Sequence, residues 1–188
     1  MRFLPYLGLG LLLSASSLTS CNKVDFGPAG GITEKTATDA PNGHVDSSDW
    51  TLEANWGKKE KDLFKGLQGK VNLDGTTSTY VTNLNFTFYP NPVDQFAYFG
   101  YDFDLLYQDG LMVQTDYVIV DRNNKVLQSG SVSSRTTTPD GRGFSGFSLS
   151  FLDEKFKKGK TYRMYYVLYE PTKLAFMGKG HGDIEMAD

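Results

Sequence analysis

One cysteine, Cys21, stands in a chain of 188 residues, and it follows directly on a short apolar segment. A lone thiol can form no disulfide within the chain, so the fold must be held by an apolar core. Aromatic residues make up 14% of the sequence, which supplies that core, and a domain of about 110 residues buries enough surface to stand alone. Ahead of the cysteine, Arg2 supplies a positive charge, Phe3 to Leu13 are mostly apolar, and Ser14 to Ser20 are small. That order is the pattern of a secretory leader. About 11 apolar positions are too few to cross a bilayer, which needs about 20.

Leu18-Thr19-Ser20-Cys21 resembles the lipobox of bacterial lipoproteins. The resemblance implies removal of residues 1–20, acylation of the Cys21 thiol and new amino terminus, and a membrane as partner. Several acyl chains on one residue hold a protein almost permanently. With Cys21 acylated, neither a cysteine nucleophile nor a thiolate metal site is available. The formal net charge is −3, and loss of Arg2 with the leader makes it more negative. Such a chain lacks the basic footprint of a nucleic-acid binder, and that class is set aside.

Residues 21–48 carry glycine, proline, threonine and aspartate with hardly a large apolar side chain. They read as a flexible tether with a reach near 30 Å, ahead of a folded domain over 49–188. Surface-exposed lipoproteins of the Bacteroidetes resemble this chain in carrying charged residues just after the cysteine, here Lys23 and Asp25. The resemblance implies an outer-membrane location and exposure at the cell surface.

Within the domain, Trp50, Leu52, Ala54 and Trp56 alternate as one side of a strand, and Leu63, Phe64 and Leu67 have the spacing of a turn or two of helix. The lysines at 58, 59 and 61 read as a solvated face, with contact to anionic lipid heads as the alternative. From Tyr80 onward short alternating runs are separated by turns. Leu84/Phe86/Phe88, Ala97/Phe99/Tyr101/Phe103, Leu111–Val120, Val126–Val132, Phe147/Leu149/Phe151, Tyr162–Tyr169 as the longest, and a strand starting at Leu174–Met177 make about seven. Asp121 to Lys125 form a hairpin turn, since asparagine tolerates positive φ. The fold class expected is all-β, a single antiparallel immunoglobulin-like sandwich with its core over about 80–178.

Phe156, Gly159 and Tyr162 resemble the tyrosine corner of fibronectin type III and related immunoglobulin-like domains. The resemblance implies that the Tyr162 hydroxyl pins the crossover between sheets, with Met164, Tyr166 and Leu168 facing inward. Tyr89-Pro90-Asn91-Pro92, the 121–126 turn and the 159–162 element also resemble the C-terminal sorting domains of type IX secretion. Pro90 and Pro92 each remove a backbone donor, so the strand must break there or lie at an edge.

Sites for chemistry are sparse. His44 falls in the tether. His181, with Asp183 and Glu185, could form a metal site, but the run from Gly178 to Asp183 reads more simply as a glycine-rich loop, so neither a metal nor a cofactor is expected. Asp102, Asp104 and Asp109 read as solvated. No nucleophile elbow, phosphate loop or zinc-protease helix occurs. Tyr165 and Tyr169 fall on the side of their strand opposite Tyr166, with Arg163 beside them, and Trp50 and Trp56 lie near the tether. These five residues form a candidate binding face, for another envelope protein or for a glycan, unless both faces of the sheet are covered. The expectation is a non-catalytic binding or accessory module that docks onto another envelope protein through a sheet edge or the Arg163/Tyr165/Tyr169 face, with a carbohydrate-binding lipoprotein as the alternative and a small hydrolase last.

Overall fold

The computed structural model describes residues 23–27, 31–106, 110–136 and 141–188. The leader, Cys21, Asp109, Pro139 and Asp140 lie outside the described residues. Two antiparallel sheets face each other. The larger has the order β1-β8-β7-β4-β5 and the smaller β2-β3-β6. Their strands are β1 (Thr51–Leu52), β2 (Val81–Tyr89), β3 (Phe96–Leu105), β4 (Leu111–Val120), β5 (Val126–Thr136), β6 (Arg142–Ser150), β7 (Thr161–Glu170) and β8 (Ala175–Glu185), with one short helix, α1 (Lys58–Leu63). The protein is an immunoglobulin-like β-sandwich: seven strands make the two layers, and the two-residue β1 extends the β8 edge.

Alternation builds the layers. Ala97, Phe99, Tyr101 and Phe103 of β3 point inward against Met164, Tyr166 and Leu168 of β7. In β2 a bulge between Thr82 and Asn85, with Asn83 at φ 50°, lets both Val81 and Leu84 reach the core. Strand β7 is central and buried on both sides, which is why its sequence is an almost unbroken apolar run. At its start the Tyr162 hydroxyl accepts from the Lys157 N–H at 2.7 Å and donates to the Lys155 carbonyl at 3.3 Å. Phe156 packs edge-on against the Tyr162 ring, and Gly159 takes φ 60° to close the corner.

Four expectations need correction. The segment read as a tether is tied to the body at several points, although its 37–48 stretch is mostly exposed. Val24 and Ile32 are buried, Lys35 pairs with Asn91, and Thr33 donates to Asp49 at 2.8 Å. The partner that makes this stable is Asn91 of the Tyr-Pro-Asn-Pro run, where β2 has ended. Fully buried, it donates to the carbonyls of Thr33 and Asp183 and accepts from the Glu185 N–H, each at 3.0 Å. Every polar group of that side chain is therefore satisfied by backbone, from the N-terminal segment and from β8.

The glycine-rich run 178–183 is strand, not loop. A Cβ on Gly180 would lie 2.0 Å from the Thr51 carbonyl, and one on Gly182 would lie 2.2 Å from the Trp50 ring. Those glycines let β1 and the indole approach β8 closely. The expected strand through Trp50 and Trp56 shrinks to Thr51–Leu52, and Leu52 is exposed. Finally, β5 and β8, at 11 residues each, are longer than β7 at 10.

Candidate functional site

The face predicted from Arg163, Tyr165, Tyr169, Trp50 and Trp56 is not a surface. All four rings are buried. Trp50 lies between the sheets, stacked on Phe88 with ring centroids 4.5 Å apart. Trp56 joins Phe64, Leu67, Val71 and Leu73 in a second apolar cluster that covers Val118, Val120, Tyr165, Val167 and Tyr169. The chain between β1 and β2 thus roofs the outer side of the larger sheet. Both sides of β7 are covered, the alternative that the sequence left open. Lys179 fastens that roof: its ammonium donates to the carbonyls of Ala54 (3.0 Å) and Gly75 (2.7 Å) from a fully buried position.

Arg163 belongs to an ion network under the N-terminal segment. Its guanidinium grips both oxygens of Asp183, at 2.6 and 2.7 Å. Asp49 accepts from the N–H groups of Asp183 and Thr33, at 2.8 Å each. His181 Nδ1 and Glu53 are 2.5 Å apart, and Glu53 also accepts from the Trp56 indole. Burial, and then the neighbouring Asp183, push Asp49 up to about 7. Burial also raises Asp183, although the Arg163 bond opposes it. Burial acts upward on Glu53 too, but its bond and charge contact with His181 bring it below the usual carboxylate range.

Ligand atoms of Asp49, His181 and Asp183 lie within 4.8 Å of one another. A cation entering there would compete with the Arg163 guanidinium for Asp183 and with two backbone donors for Asp49, so the group is built as an internal lock. Glu185, the third residue of the expected grouping, is not part of it. A cavity of about 220 Å³ opens beside the lock, lined by Glu53, Trp56, Glu60, Arg163, Tyr165 and His181. Its Glu53 carboxylate is occupied on both oxygens.

The outer side of the smaller sheet has a different character. Register aligns Tyr89, Tyr98 and Ser148 across β2, β3 and β6, then Thr87, Gly100 and Gly146, then Asn85, Asp102 and Phe144. The two central glycines leave a shallow saddle, and the Tyr98 ring lies across it. A Cβ on Gly146 would stand 2.3 Å from the Tyr98 hydroxyl, and one on Gly100 would stand 2.7 Å from the ring. Phe144, 62% exposed, continues the plane: its centroid is 6.5 Å from that of Tyr98, with 18° between the rings. Tyr89 adjoins Tyr98 at 5.4 Å.

Polar groups frame these rings. Lys35 donates to Thr87 (2.6 Å) and to Asp39 (2.7 Å), which brings the N-terminal segment to one edge of the saddle. Asn85 donates to Asp102 at 3.1 Å, and Asn83 to Asp104 at 2.7 Å, along the other. The result is a flat, solvent-facing aromatic platform with amide, carboxylate, hydroxyl and ammonium groups around it. Sequence reasoning missed it because only the inward residues of β3 were followed. The signal was present: Phe96, Tyr98 and Gly100 alternate on the opposite side, and Phe144-Ser145-Gly146 sits on the partner strand.

No protein-family model and no curated protein sequence matches the chain. Partial likenesses exist among solved structures. A β-glucuronidase of Bacteroides uniformis is 11% identical over 53% of this chain and 12% of its own, with a TM-score of 0.39. A β-galactosidase assigned by similarity in Bacteroides fragilis is 13% identical over 54% of this chain and 16% of its own, at 0.36. The CARDB domain of the PF1109 protein from Pyrococcus furiosus, solved in complex with di-metal ions, is 13% identical over 60% of this chain and 98% of its own, at 0.36. The chain thus spans less than a fifth of the two glycosidases. The fold class rests on the strand pairing of the chain itself.

Proposed function

We propose that this protein is a lipid-anchored envelope lipoprotein, held in the outer membrane by acylated Cys21, whose sandwich binds a saccharide without catalysis. The observation that carries the binding reading is the Tyr98–Phe144 platform. Two nearly parallel rings, Phe144 exposed and Tyr98 half-buried, fit the flat apolar side of a sugar ring, and the flanking Asn85, Asp102, Thr87, Asp39 and Lys35 match its hydroxyls. The leader and the Leu-Thr-Ser-Cys sequence support the anchor, and Lys23 with Asp25 support display at the cell surface. Docking onto another envelope protein through the Arg163/Tyr165/Tyr169 face loses its footing, because that face is roofed by the chain itself.

The test is a glycan array followed by calorimetry with the best glycan. Phe144→Ala and Tyr98→Ala are expected to weaken saturable binding by about tenfold or more each, the scale of one lost ring contact of about 1.4 kcal/mol. Phe144 is largely exposed, so its removal leaves the fold intact. Absence of binding to any glycan, or binding that both variants retain in full, would overturn the saccharide reading.

A further inference from the structure

The residues that follow Cys21 fix how the body stands on its anchor. Val24 donates to the Arg122 carbonyl at 2.8 Å and is buried in the second apolar cluster. One residue on, the Asp25 carbonyl accepts from Arg163 at 2.8 Å, and the Arg163 guanidinium lies 5.6 Å over the Phe26 ring. Residues 24–26 are therefore clamped to the end of the sandwich where β4 turns into β5. Val24 is three residue steps from Cys21, which at full extension span at most about 11 Å. The acylated sulfur cannot stand further than that, plus its own side chain, from the 121–125 hairpin. The expected 30 Å reach of a 21–48 tether does not apply.

We propose that this end of the sandwich rests on the lipid surface. The inference depends on the anchored reading given above. Four pieces of chain converge there: the 90–95 loop, the 121–125 hairpin, the 151–160 corner and residues 186–188. The bonds from Val93 to Glu185, from Ala187 to Val93 and from Gly159 to Met186 hold the loop, the corner and residues 186–188 together. Leu152 and Val126 project there at 61% and 47% exposure, with Phe96 at the rim at 54%. Arg122, Lys125, Lys157, Lys158 and Lys160 are exposed among them. Two carboxylates of this end are turned into its own turns: Asp121 accepts from Asn123 and Lys125, and Asp153 accepts from Lys155 and pairs with its ammonium; Asp94, Glu154 and Asp188 are exposed beside the cations. Lysine and arginine heads with nearby apolar side chains suit the zone of anionic lipid headgroups.

Leu106, Met112 and Leu174 are also exposed, at the opposite end, so apolar exposure alone does not choose between the ends. The position of the clamp does. With this end down, the strands rise away from the bilayer, and the platform faces sideways, with Tyr98 nearer the lipid and Phe144 further up.

The experiment uses the full chain, purified from membranes and reconstituted in phosphatidylethanolamine–phosphatidylglycerol vesicles carrying a headgroup nitroxide. Because Cys21 is consumed by acylation, a single introduced cysteine can be labelled with a fluorophore. Asn123→Cys and Lys158→Cys report on the proposed contact, Lys65→Cys on the roofed side and Lys173→Cys on the far end. Quenching is expected to be several-fold stronger at 123 and 158 than at 65 and 173. Equal quenching at all four positions, or strongest quenching at 65 or 173, overturns the orientation and leaves the anchor standing. A parent protein with a free thiol that does not float with vesicles overturns the anchored reading, and the orientation with it.

Discussion

Asp49 shows how a single residue can make a strap of chain structural. Its two oxygens hold the N–H groups of Thr33 and Asp183, joining the N-terminal segment to β8. Its carboxyl titrates at about 7 in the folded protein, against an ordinary 3.8. Between those values the folded state binds more protons than the unfolded state, so stability falls as pH rises through the window. A shift of that size corresponds to a ceiling on the order of 4 kcal/mol, fully lost above pH 7. Asp49→Asn cannot ionise, and its amide must turn an N–H toward one of the two backbone donors. The variant is expected to be about 1–3 kcal/mol less stable than the parent at pH 5. Its further loss between pH 5 and pH 8 should be smaller than the parent's. Urea melts at the two pH values measure this. Glu53 and Asp183 titrate in both proteins, so an unchanged difference between the two curves would refute the assignment to Asp49.

At the level of elements, what the sequence disclosed followed from side-chain periodicity. Strands β2, β3 and β6 alternate, β7 is an apolar run, and Asn124 takes the positive φ that its turn requires, at 61°. The start of β8 was expected at Leu174–Met177, but its continuation was hidden because three of its central positions are glycine, which erases the alternation, and those glycines answer to β1 and Trp50, far away in sequence. The roof over β4 and β7 was half visible. Leu63, Phe64 and Leu67 indicated a helical turn, but nothing local shows that Trp56 meets Tyr165 edge-on, with centroids 6.0 Å apart. Trp56→Ala tests the roof as a unit. Removing a buried tryptophan should cost about 3–5 kcal/mol, and the loosened roof should expose the Tyr165 side of β7. Chemical denaturation gives the first quantity, and binding of an apolar dye to the native variant reports the second. A loss below about 1 kcal/mol would mean that the roof contributes little.

For the molecule as a whole, the question is where the folded body begins. A composition rich in glycine, proline and aspartate placed the start near residue 49, because low hydrophobicity ordinarily leaves a segment disordered. The segment is ordered here by few apolar contacts and many polar ones: Val24 and Ile32 are buried, while Thr33, Lys35, Asp49 and Asn91 exchange hydrogen bonds with one another and with Asp183, across 16 to 134 residues of sequence. Such long-range pairing leaves no periodic mark. The same segment delivers Lys35 and Asp39 to the edge of the aromatic platform, so it shapes the surface assigned to the ligand. Limited proteolysis of the native protein with a nonspecific protease, read by mass spectrometry, is expected to leave a resistant core that begins ahead of Ile32. Cleavage that proceeds readily between Ile32 and Asp49 while the sandwich stays intact would restore the tether. It would also release the platform edge from the body, and glycan affinity would then fall in step with the cutting.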